Sequence, residues 1–525
     1  MDTNLFVNLL LGLVPIIWLV IALTGLKMPG YKACGIAIAL AAVVAFIFKH
    51  MAPLDCGTAI LEGVLSALWP IILVIIAALF TYNLVLDTGA MDKIKAMLSG
   101  ISSDKRILAI IIGWSFGCFM EGMAGFGTAV AIPASILIAL GFEPLPTLVG
   151  LLIVNSTPTA FGSVGVPTTT LASLLSSSLE MDVSTLTLSL SAKTTLIEAL
   201  LMFLSPFFMV FVIGKGVKAF KGILPIVLVS SLAFTVPNFL VASSIGPELP
   251  DIIGSACSMA VTIPLAIAMR NKPVPEEYRI AADKQQTLSI SVAEGIRAWS
   301  PFILIFVLLL GTSKLVSPIN TPLSAIKSSF LIYTGPTGKP TTFSWINTPG
   351  VWIIIAAIIG GLIQGASLQK IASVFGRTVS SNIKTIVTIC SVLATAKIMV
   401  HSGMTTDVAV ALVALTGGVF PLFSPLVGVI GAFVTGSGTN TGVLFGPLQQ
   451  EAAQQIDVAP LWLCAANALG AGIGKMVAPS NVALACAAAG IAGQESKVIR
   501  AVFKYTLIYT VIGGIICLAF AHVVS

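Results

Sequence analysis

The feature that most constrains this sequence is a series of long apolar runs separated by short polar segments. A membrane-spanning helix needs about 20 consecutive apolar residues. Runs near that length occupy 5–26, 31–48, 61–86, 187–213, 222–243, 250–269, 299–316, 349–366, 383–400 and 499–522. Only 9% of the residues are charged, against about 25% in a soluble domain. The sequence therefore predicts an all-α polytopic membrane protein with about 12 spanning helices and the lipid bilayer as its solvent.

Composition argues against several other classes of protein. The formal charge is +6, but the basic residues lie mostly in short loops beside the apolar runs, as membrane topology requires, so we expect no nucleic-acid partner. The eight cysteines show neither disulfide nor metal spacing, which predicts free thiols and no metal site. The sequence has no phosphate-binding P-loop and no Ser/His/Asp arrangement. We therefore expect no cofactor, no catalytic residue and no enzyme, and we expect active transport to draw on an ion gradient.

Comparison of the sequence with itself indicates an internal repeat. The matches fall on Gly, Pro and Asn, at an offset that slips from 314 to 312 residues: Gly117 with Gly431, Gly122 with Gly436, Pro133 with Pro447, Asn155 with Asn467, Gly162 with Gly474 and Pro167 with Pro479. Apolar sequences produce chance matches, but matches concentrated where helices are interrupted are hard to explain by chance. We therefore predict two related halves.

The repeat predicts a division of the chain into three parts. The first half, 1–221, holds scaffold helices 5–86, a hairpin 105–140, a broken helix 145–179 and a helix 187–213. Linking helices and a cytoplasmic loop occupy 222–298, and the second half, 299–525, holds a hairpin 420–456 and a broken helix 460–490. We interpret 105–140 as re-entrant, with two full crossings as the alternative. The segment 317–348, rich in Thr, Pro and Gly, predicts an ordered external loop.

The span count predicts that the two halves have inverted topology. Each half crosses five times and two spans link them, so the second half starts on the opposite side of the membrane. With the N-terminus outside, all six arginines and thirteen lysines fall on the cytoplasmic side and five lysines outside. This bias is the one that membrane proteins show.

Four interruptions, at 121–128, 155–168, 434–442 and 470–481, predict the binding site. A broken helix leaves polar backbone groups that persist in a membrane only where protein or a wet cavity covers them. The helix that restarts after a break presents a positive end, which attracts anions. Close helix packing is the alternative reading of such Gly-rich segments. We predict that a small carboxylate binds here, to Asn155, Ser156, Thr157, Pro167, Thr168, Thr439, Asn440, Thr441, Lys475, Pro479, Ser480 and Asn481.

Charged residues inside the apolar segments are candidates for function because they are costly there. Lys475 is interpreted as the partner of a substrate carboxylate, or as a structural counter-ion for an acid such as Glu121. Glu121 and Asp407 are the candidates for proton coupling, with ion pairing at a helix end as the alternative for Glu121. Lys397, His401 and Asp407 suggest a gate, a second proton path or an interfacial cluster. Glu62, Glu198 and Glu294 are expected near span ends.

The interrupted segments resemble the lactate permease family of the ion transporter superfamily. The similarity is carried by FGCFMEGMAGFGTAVAIPASILIALGF (116–142), VNSTPTAFGSVGVPT (154–168), HSGMT (401–405), GAFVTGSGTNTGVLFGPLQ (431–449) and GKMVAPSNVALA (474–485). It implies uptake of L-lactate, and in relatives D-lactate or glycolate, by proton symport. The superfamily further implies a transport domain that moves like an elevator against a scaffold, in many members as a homodimer.

Two departures from the family pattern bear on coupling and substrate. Gly438 stands where the family has Asp, which removes one proton or cation ligand. Ser480 stands after Pro479 where the family commonly has Gln, which changes the hydrogen bonding near the carboxylate. The leading hypothesis is a proton-coupled importer of a 2-hydroxy monocarboxylate in the bacterial inner membrane. The alternatives are a sodium-coupled or antiporting carrier of another organic acid, and a passive anion channel.

Overall fold

A computed structural model describes residues 3–125, 127–281 and 290–523. Phe126 of the first predicted interruption and residues 282–289 of the predicted linking segment lie outside these ranges.

The first part of the described chain is helical from its start. Its helices are α1 (Thr3–Val20), α2 (Gly30–Ile47), α3 (Pro53–Ser66), α4 (Leu73–Asp87), α5 (Ala90–Ser99), α6 (Lys105–Leu108), α7 (Gly117–Met123), α8 (Thr128–Ala139), α9 (Pro144–Ser156), α10 (Gly162–Leu179), α11 (Val183–Ile213), α12 (Leu224–Ser244) and α13 (Pro250–Ala268). Three π-helical segments, Ile21–Gly25, Ala67–Ile72 and Ala109–Phe116, extend or join these helices, and Pro158–Phe161 and Val217–Phe220 are 3-10 turns.

The second part adds eleven helices and one small sheet. Its elements are α14 (Val292–Thr312), α15 (Ser317–Ser324), β1 (Lys327–Phe330), β2 (Thr341–Ser344), α16 (Pro349–Ile363), α17 (Leu368–Ser381), α18 (Ile383–His401), α19 (Met404–Thr416), α20 (Phe420–Thr435), α21 (Gly438–Gln455), α22 (Pro460–Lys475), α23 (Pro479–Ala488) and α24 (Glu495–Phe520). A 3-10 turn, Gly417–Val419, joins α19 to α20.

The predicted class, an all-α polytopic membrane protein, is confirmed. Within the described residues, eleven helices are long and apolar enough to cross a bilayer, or up to thirteen if each of two bent pairs forms one span. The predicted span at 349–366 is wrong in length, because α16 contains 15 residues and rises about 22 Å. The span predicted to begin at 299 begins at Val292, where Ser291 and Glu294 form a capping box that satisfies backbone donors of the first turn.

The predicted external loop contains a β-hairpin that hydropathy did not reveal. Strands β1 and β2 pair antiparallel, with Lys327 opposite Ser344. The indole Nε1 of Trp69 donates to the Ser344 carbonyl at 2.8 Å, and the Trp69 and Trp345 rings lie 5.5 Å apart. These contacts hold the hairpin against the kinked segment between α3 and α4.

Each half of the chain contains two helices joined by a tight turn and then a bent helix pair. In the first half, the π-helical segment and α7 pack against α8, and the axis bends by 58° between α9 and α10. In the second half, α20 packs against α21, and the axis bends by 44° between α22 and α23. This order occurs twice, as the predicted repeat requires; the inverted orientation, the re-entrant placement and the domain boundaries stay predictions.

Close packing of α20 and α22 brings the second bent pair against its hairpin. A methyl group added at Gly470 would overlap the Pro425 carbonyl oxygen. A residue without a side chain is therefore needed at this crossing. Helix α22 also contacts α11, while α18 packs against α2 and α3. The hairpins and bent pairs of the two halves also pack on one another, α8 against α23 and α10 against α21, and α18 packs against α21.

Candidate functional site

A cavity of about 200 Å³ lies where the two hairpin turns, the two helix bends and α18 meet. Three of its lining residues, Thr385, Thr388 and Ile389, come from α18. The full lining is Glu121, Gly127, Thr159, Gly162, Ser163, Pro167, Thr385, Thr388, Ile389, Gly436, Ser437, Gly438, Thr439, Asn440, Lys475 and Asn481. Polar side chains and freed backbone groups on an otherwise apolar protein form a site suited to a small polar ligand.

One ion pair dominates the electrostatics of this cavity. Lys475 Nζ lies 2.8 Å from Glu121 Oε1, and the two side chains are 10% and 3% exposed. Lys475 is the last residue of α22 and Glu121 lies in the last turns of α7. A cation at a helix C-terminus is favoured by the helix dipole, whereas a carboxylate near one is not, so Glu121 depends on its partners.

Asn155 supplies the second partner of Glu121. Its amide Nδ2 donates to Glu121 Oε2 at 3.0 Å, so both carboxylate oxygens are engaged. A side chain at Gly162 would lie 2.7 Å from Glu121 Oε1, so this glycine leaves the room that the carboxylate occupies. Breaking such a buried pair by removing one partner costs about 3–5 kcal/mol, because a charge is left uncompensated.

Each hairpin turn is tied to the bent pair that follows it. Ser163 Oγ donates to the Ala124 carbonyl at 2.9 Å, and Asn481 Nδ2 donates to the Gly436 carbonyl at 3.3 Å. Both carbonyls lie just beyond helix ends and would otherwise lack a donor. Ser163 adopts a left-handed conformation, φ 48°, which aims its hydroxyl at the first turn.

The start of α21 presents an anion-binding edge to the cavity. Ser437 caps the helix, accepting from the Asn440 backbone N–H at 3.2 Å. Gly438 and Thr439, which line the cavity, belong to the first turn, where backbone N–H groups are free to bind a ligand and the helix dipole is positive. The Asn440 side-chain oxygen is buried and finds no hydrogen-bond partner among the described residues.

The predicted binding residues divide by where their side chains lie. Those that line the cavity are Pro167, Thr439, Asn440, Lys475 and Asn481, together with Glu121. Asn155 lies behind Glu121, and the hydroxyls of three others donate to backbone carbonyls: Ser156 to Ile153, Thr168 to Ala160 and Thr441 to Ser437. Thr157 is buried, and Pro479 and Ser480 are exposed. For these last residues direct substrate contact stays a prediction.

The second charged cluster is split in two by the fold. Asp407, in the first turn of α19, forms an ion pair with Lys49. Lys397 Nζ and His401 Nε2 instead lie 2.7 Å and 2.8 Å from the two carboxylate oxygens of Glu62.

Two acids that we expected near span ends are buried in the protein. Glu62 is 2% exposed, and its pairing with Lys397 and His401 makes that burial tolerable. Glu198 is fully buried within α11. The expectation was wrong because Glu62 lies inside the long span Pro53–Asp87 and Glu198 lies in the middle of Val183–Ile213. Glu294 does lie at a helix start, where it caps α14.

Several lining residues were missed by sequence reasoning. Thr159 and Ser163 lie inside the second interruption, at 155–168, so that segment held the signal. Thr385 and Thr388 belong to α18, which has no interruption, and nothing in their sequence context marks them. They reach the cavity because α18 packs across it.

The departure at Gly438 has a structural consequence. A Cβ atom at this position would lie 2.9 Å from the Thr159 methyl carbon, Cγ2. A side chain here would therefore displace Thr159 and occupy the cavity. The glycine leaves that space open to a ligand.

Comparison with known proteins identifies relatives over nearly the whole length. The sequence profile of the family described as L-lactate permease matches residues 8–524. An L-lactate permease of Streptococcus iniae is 42% identical over 87% of this chain and 93% of that protein. The glycolate permease GlcA of Escherichia coli (strain K12) is 36% identical over 99% of this chain and 97% of that protein.

Solved structures give a weaker likeness. Neisseria gonorrhoeae MtrF, described as illuminating a class of antimetabolite efflux pumps, is 13% identical, with a TM-score of 0.43. The match covers 86% of this chain and 81% of that chain. Similarity at this level supports no inference about the site.

Proposed function

The chain belongs to the L-lactate permease family, and from this premise we propose that it imports L-lactate or a related 2-hydroxy monocarboxylate, D-lactate or glycolate, by proton symport. Membership in a permease family assigns the chain to transporters rather than enzymes. The names of its relatives, L-lactate permease and glycolate permease, support a substrate with one carboxylate and a neighbouring hydroxyl.

The observation that carries the proposal is the Lys475–Glu121 ion pair on the wall of the cavity. An incoming carboxylate and the Glu121 carboxylate compete for the same ammonium group. If the substrate takes Lys475, Glu121 is left buried and charged with Asn155 as its remaining partner. A carboxylate in that position is stabilised by taking up a proton.

This competition links one proton to one substrate. Protonation of Glu121 neutralises it and releases Lys475 for the substrate carboxylate. Loss of the substrate inside the cell lets the ion pair re-form, and the proton is released. The site then alternates between two states in which every buried charge is compensated. In one state Glu121 is charged and paired with Lys475, and in the other the substrate carboxylate is paired with Lys475 and Glu121 is protonated. This coupling of two binding events is what symport requires.

The hydroxyl of the substrate has a suitable acceptor. The Asn440 side-chain oxygen is buried and finds no partner within the described part of the chain, and such an oxygen gains a hydrogen bond when a ligand hydroxyl reaches it. The free N–H groups at the start of α21 add donors for the carboxylate. A cavity of about 200 Å³ accommodates a three-carbon acid with several waters, since water occupies about 30 Å³ in the liquid.

The location that we propose is the bacterial inner membrane, with the N-terminus outside. The excess of Arg and Lys in the loops assigned to the cytoplasm supports this orientation. A homodimer is the assembly that the family resemblance suggests.

Uptake into proteoliposomes tests the proposal. Purified protein is reconstituted, and labelled L-lactate uptake is measured with and without an inward proton gradient at equal sodium. We expect saturable uptake that the gradient drives above equilibrium, and competition by D-lactate and glycolate but not by dicarboxylates.

The same vesicles distinguish the rival functions. Accumulation driven by a sodium gradient and indifferent to pH would replace proton symport with sodium coupling. Uptake that requires a trapped internal acid would indicate an antiporter, and non-saturable equilibration would indicate a channel. Absence of any lactate flux would remove the substrate assignment.

A further inference from the structure

Three helices beside the first hairpin bury a line of polar side chains that the proposed transport cycle does not use. We call it the polar seam; it consists of Thr194, Thr195 and Glu198 on α11, Asn238 on α12, and Asp251 and Ser255 on α13. All six are fully buried or nearly so. Helix α12 packs against both α11 and α13, so the seam runs through the interior of this bundle.

One end of the seam touches the candidate site. A Cβ atom at Gly122, the residue after Glu121, would lie 2.7 Å from Asp251 Cβ. The start of α13 is therefore packed directly on the end of α7. Asp251 lies close enough to Glu121 and Lys475 for their charges to act on it, and the Cys118 thiol is the neighbouring titratable group on α7.

Hydrogen bonds continue from Asp251 into the bundle. Asn238 Nδ2 donates to Asp251 Oδ1 at 3.0 Å, and Thr195 Oγ1 donates to Asn238 Oδ1 at 3.0 Å. Thr195 lies one turn before Glu198 on α11. These two hydrogen bonds hold Asn238 between α11 and α13, the helices that carry the two acids. Glu198 and Asp251 lie close enough for their negative charges to repel each other if both were ionised.

The seam contains more buried oxygen atoms than the protein satisfies. Among the described residues, both carboxyl oxygens of Glu198, Oδ2 of Asp251 and the hydroxyls of Thr194 and Ser255 find no hydrogen-bond partner. Leaving a buried carboxylate unpaired is strongly unfavourable, whereas the neutral acid tolerates burial. Such intramembrane acids mark proton relays in transporters.

We propose that Asp251 and Glu198 bind the coupling proton and deliver it to Glu121. Asp251, as the neutral acid, gives its proton to the Glu121 carboxylate when the substrate takes Lys475. Glu198 then transfers its own proton to Asp251 and takes up another proton from the medium. One proton therefore reaches Glu121 for each proton taken up. The inference rests on the proposed proton symport and names the residues that feed it.

A proton suits the seam better than sodium. Sodium sites in transporters use backbone carbonyls that unwound helices set free, and α11 and α13 are regular helix around Glu198 and at Asp251–Ser255.

The test compares two transport modes of the same full-length protein in proteoliposomes. Exchange of labelled for unlabelled L-lactate at equal pH needs no net proton movement, whereas accumulation driven by a proton gradient does. For Glu198→Gln and Asp251→Asn we expect accumulation to fall by about tenfold or more while exchange falls by no more than about threefold. Glu198→Asp, which keeps a carboxyl group, should recover part of the accumulation. Glu143→Gln, an exposed acid paired with Lys215, is the matched control.

Each outcome decides the proposal. Undiminished accumulation in both Glu198→Gln and Asp251→Asn overturns the proposal. A parallel loss of exchange and accumulation also overturns it, because the role of the seam would then be structural. If a sodium gradient drives accumulation in the wild type and the variants lose that response, the seam binds sodium instead of a proton. If the wild type itself exchanges lactate without responding to pH, proton symport fails; if it exchanges none, the substrate assignment fails. Neither result depends on the seam variants.

Discussion

The ammonium nitrogen of Lys475 lies 2.8 Å from Glu121 Oε1, and this contact joins residues 354 positions apart in the chain. It connects the bend of the second bent pair to the end of α7 in the first hairpin. A buried ion pair on the wall of the cavity is therefore one of the contacts between the two halves of the protein. A substrate that takes one member of the pair must change how the halves are held together.

Removing the cation tests both its structural and its binding role. Lys475→Met should lower the free energy of unfolding by about 3–5 kcal/mol, because Glu121 is left buried and unpaired, and should abolish lactate uptake. Glu121→Gln combined with Lys475→Met should recover stability but not uptake. Thermal unfolding in detergent and uptake in proteoliposomes measure the two effects, with the exposed Lys384→Met as control. If Lys475→Met binds and transports lactate normally, Lys475 is only a counter-ion.

Replacing Glu121 by Gln should separate binding from coupling. The amide resembles the protonated acid, so Lys475 is free for the substrate at every pH. We expect lactate binding that no longer weakens as pH rises, retained exchange and lost accumulation. Lactate affinity from calorimetry at several pH values measures this. A Gln variant whose affinity still follows pH like the wild type would place the proton elsewhere.

Asn440 is predicted to recognise the substrate hydroxyl. Asn440→Ala should weaken L-lactate binding by about fivefold while leaving propionate, which lacks the hydroxyl, nearly unaffected, since one hydrogen bond contributes about 1 kcal/mol. Competition against labelled lactate gives both affinities. Asn382→Ala, outside the cavity lining, should change neither. Equal losses for lactate and propionate would argue against this role.

The Glu62 cluster is predicted to stabilise the scaffold side. Glu62 accepts from Lys397 and contacts His401, whose ring stacks on Tyr333 at 3.7 Å. Lys397→Met should reduce stability by about 3 kcal/mol, and Glu62→Gln added to it should restore most of the loss. Unfolding temperatures of the single and double variants test the coupling. Additive losses would show that the two side chains act independently.

Glu248 gives a prediction about pH. It lies in the loop before α13, where burial raises its pKa from 4.5 to about 7 although Lys314 acts in the opposite direction. A raised folded-state pKa gives stability that is present below pH 4.5 and lost as pH rises through 7. Glu248→Gln should therefore raise the unfolding temperature by a few degrees above pH 7 and change it little near pH 4.5. An equal shift at both pH values would contradict this.

Sequence reasoning predicted which segments line the cavity better than it predicted individual contacts. The interruptions at 121–128, 155–168, 434–442 and 470–481 all contribute lining residues, because Gly, Pro, Ser and Asn mark broken helices locally. It also singled out Glu121 and Lys475 as charges inside apolar segments. It missed Thr388, since a threonine in an unbroken helix carries no local sign of the cavity it faces.

The sequence by itself determined the membrane class, the approximate number of spans, the positions of the helix breaks and the family. These depend on hydropathy, on Gly and Pro at particular positions, and on motifs, which are properties of neighbouring residues. The tertiary structure decided that Lys475 meets Glu121, that Lys397 meets Glu62 rather than Asp407, and that Asp251 packs beside the first hairpin. Such pairings arise from the packing of helices that are distant in the chain, and no local pattern specifies which buried charge another helix will supply.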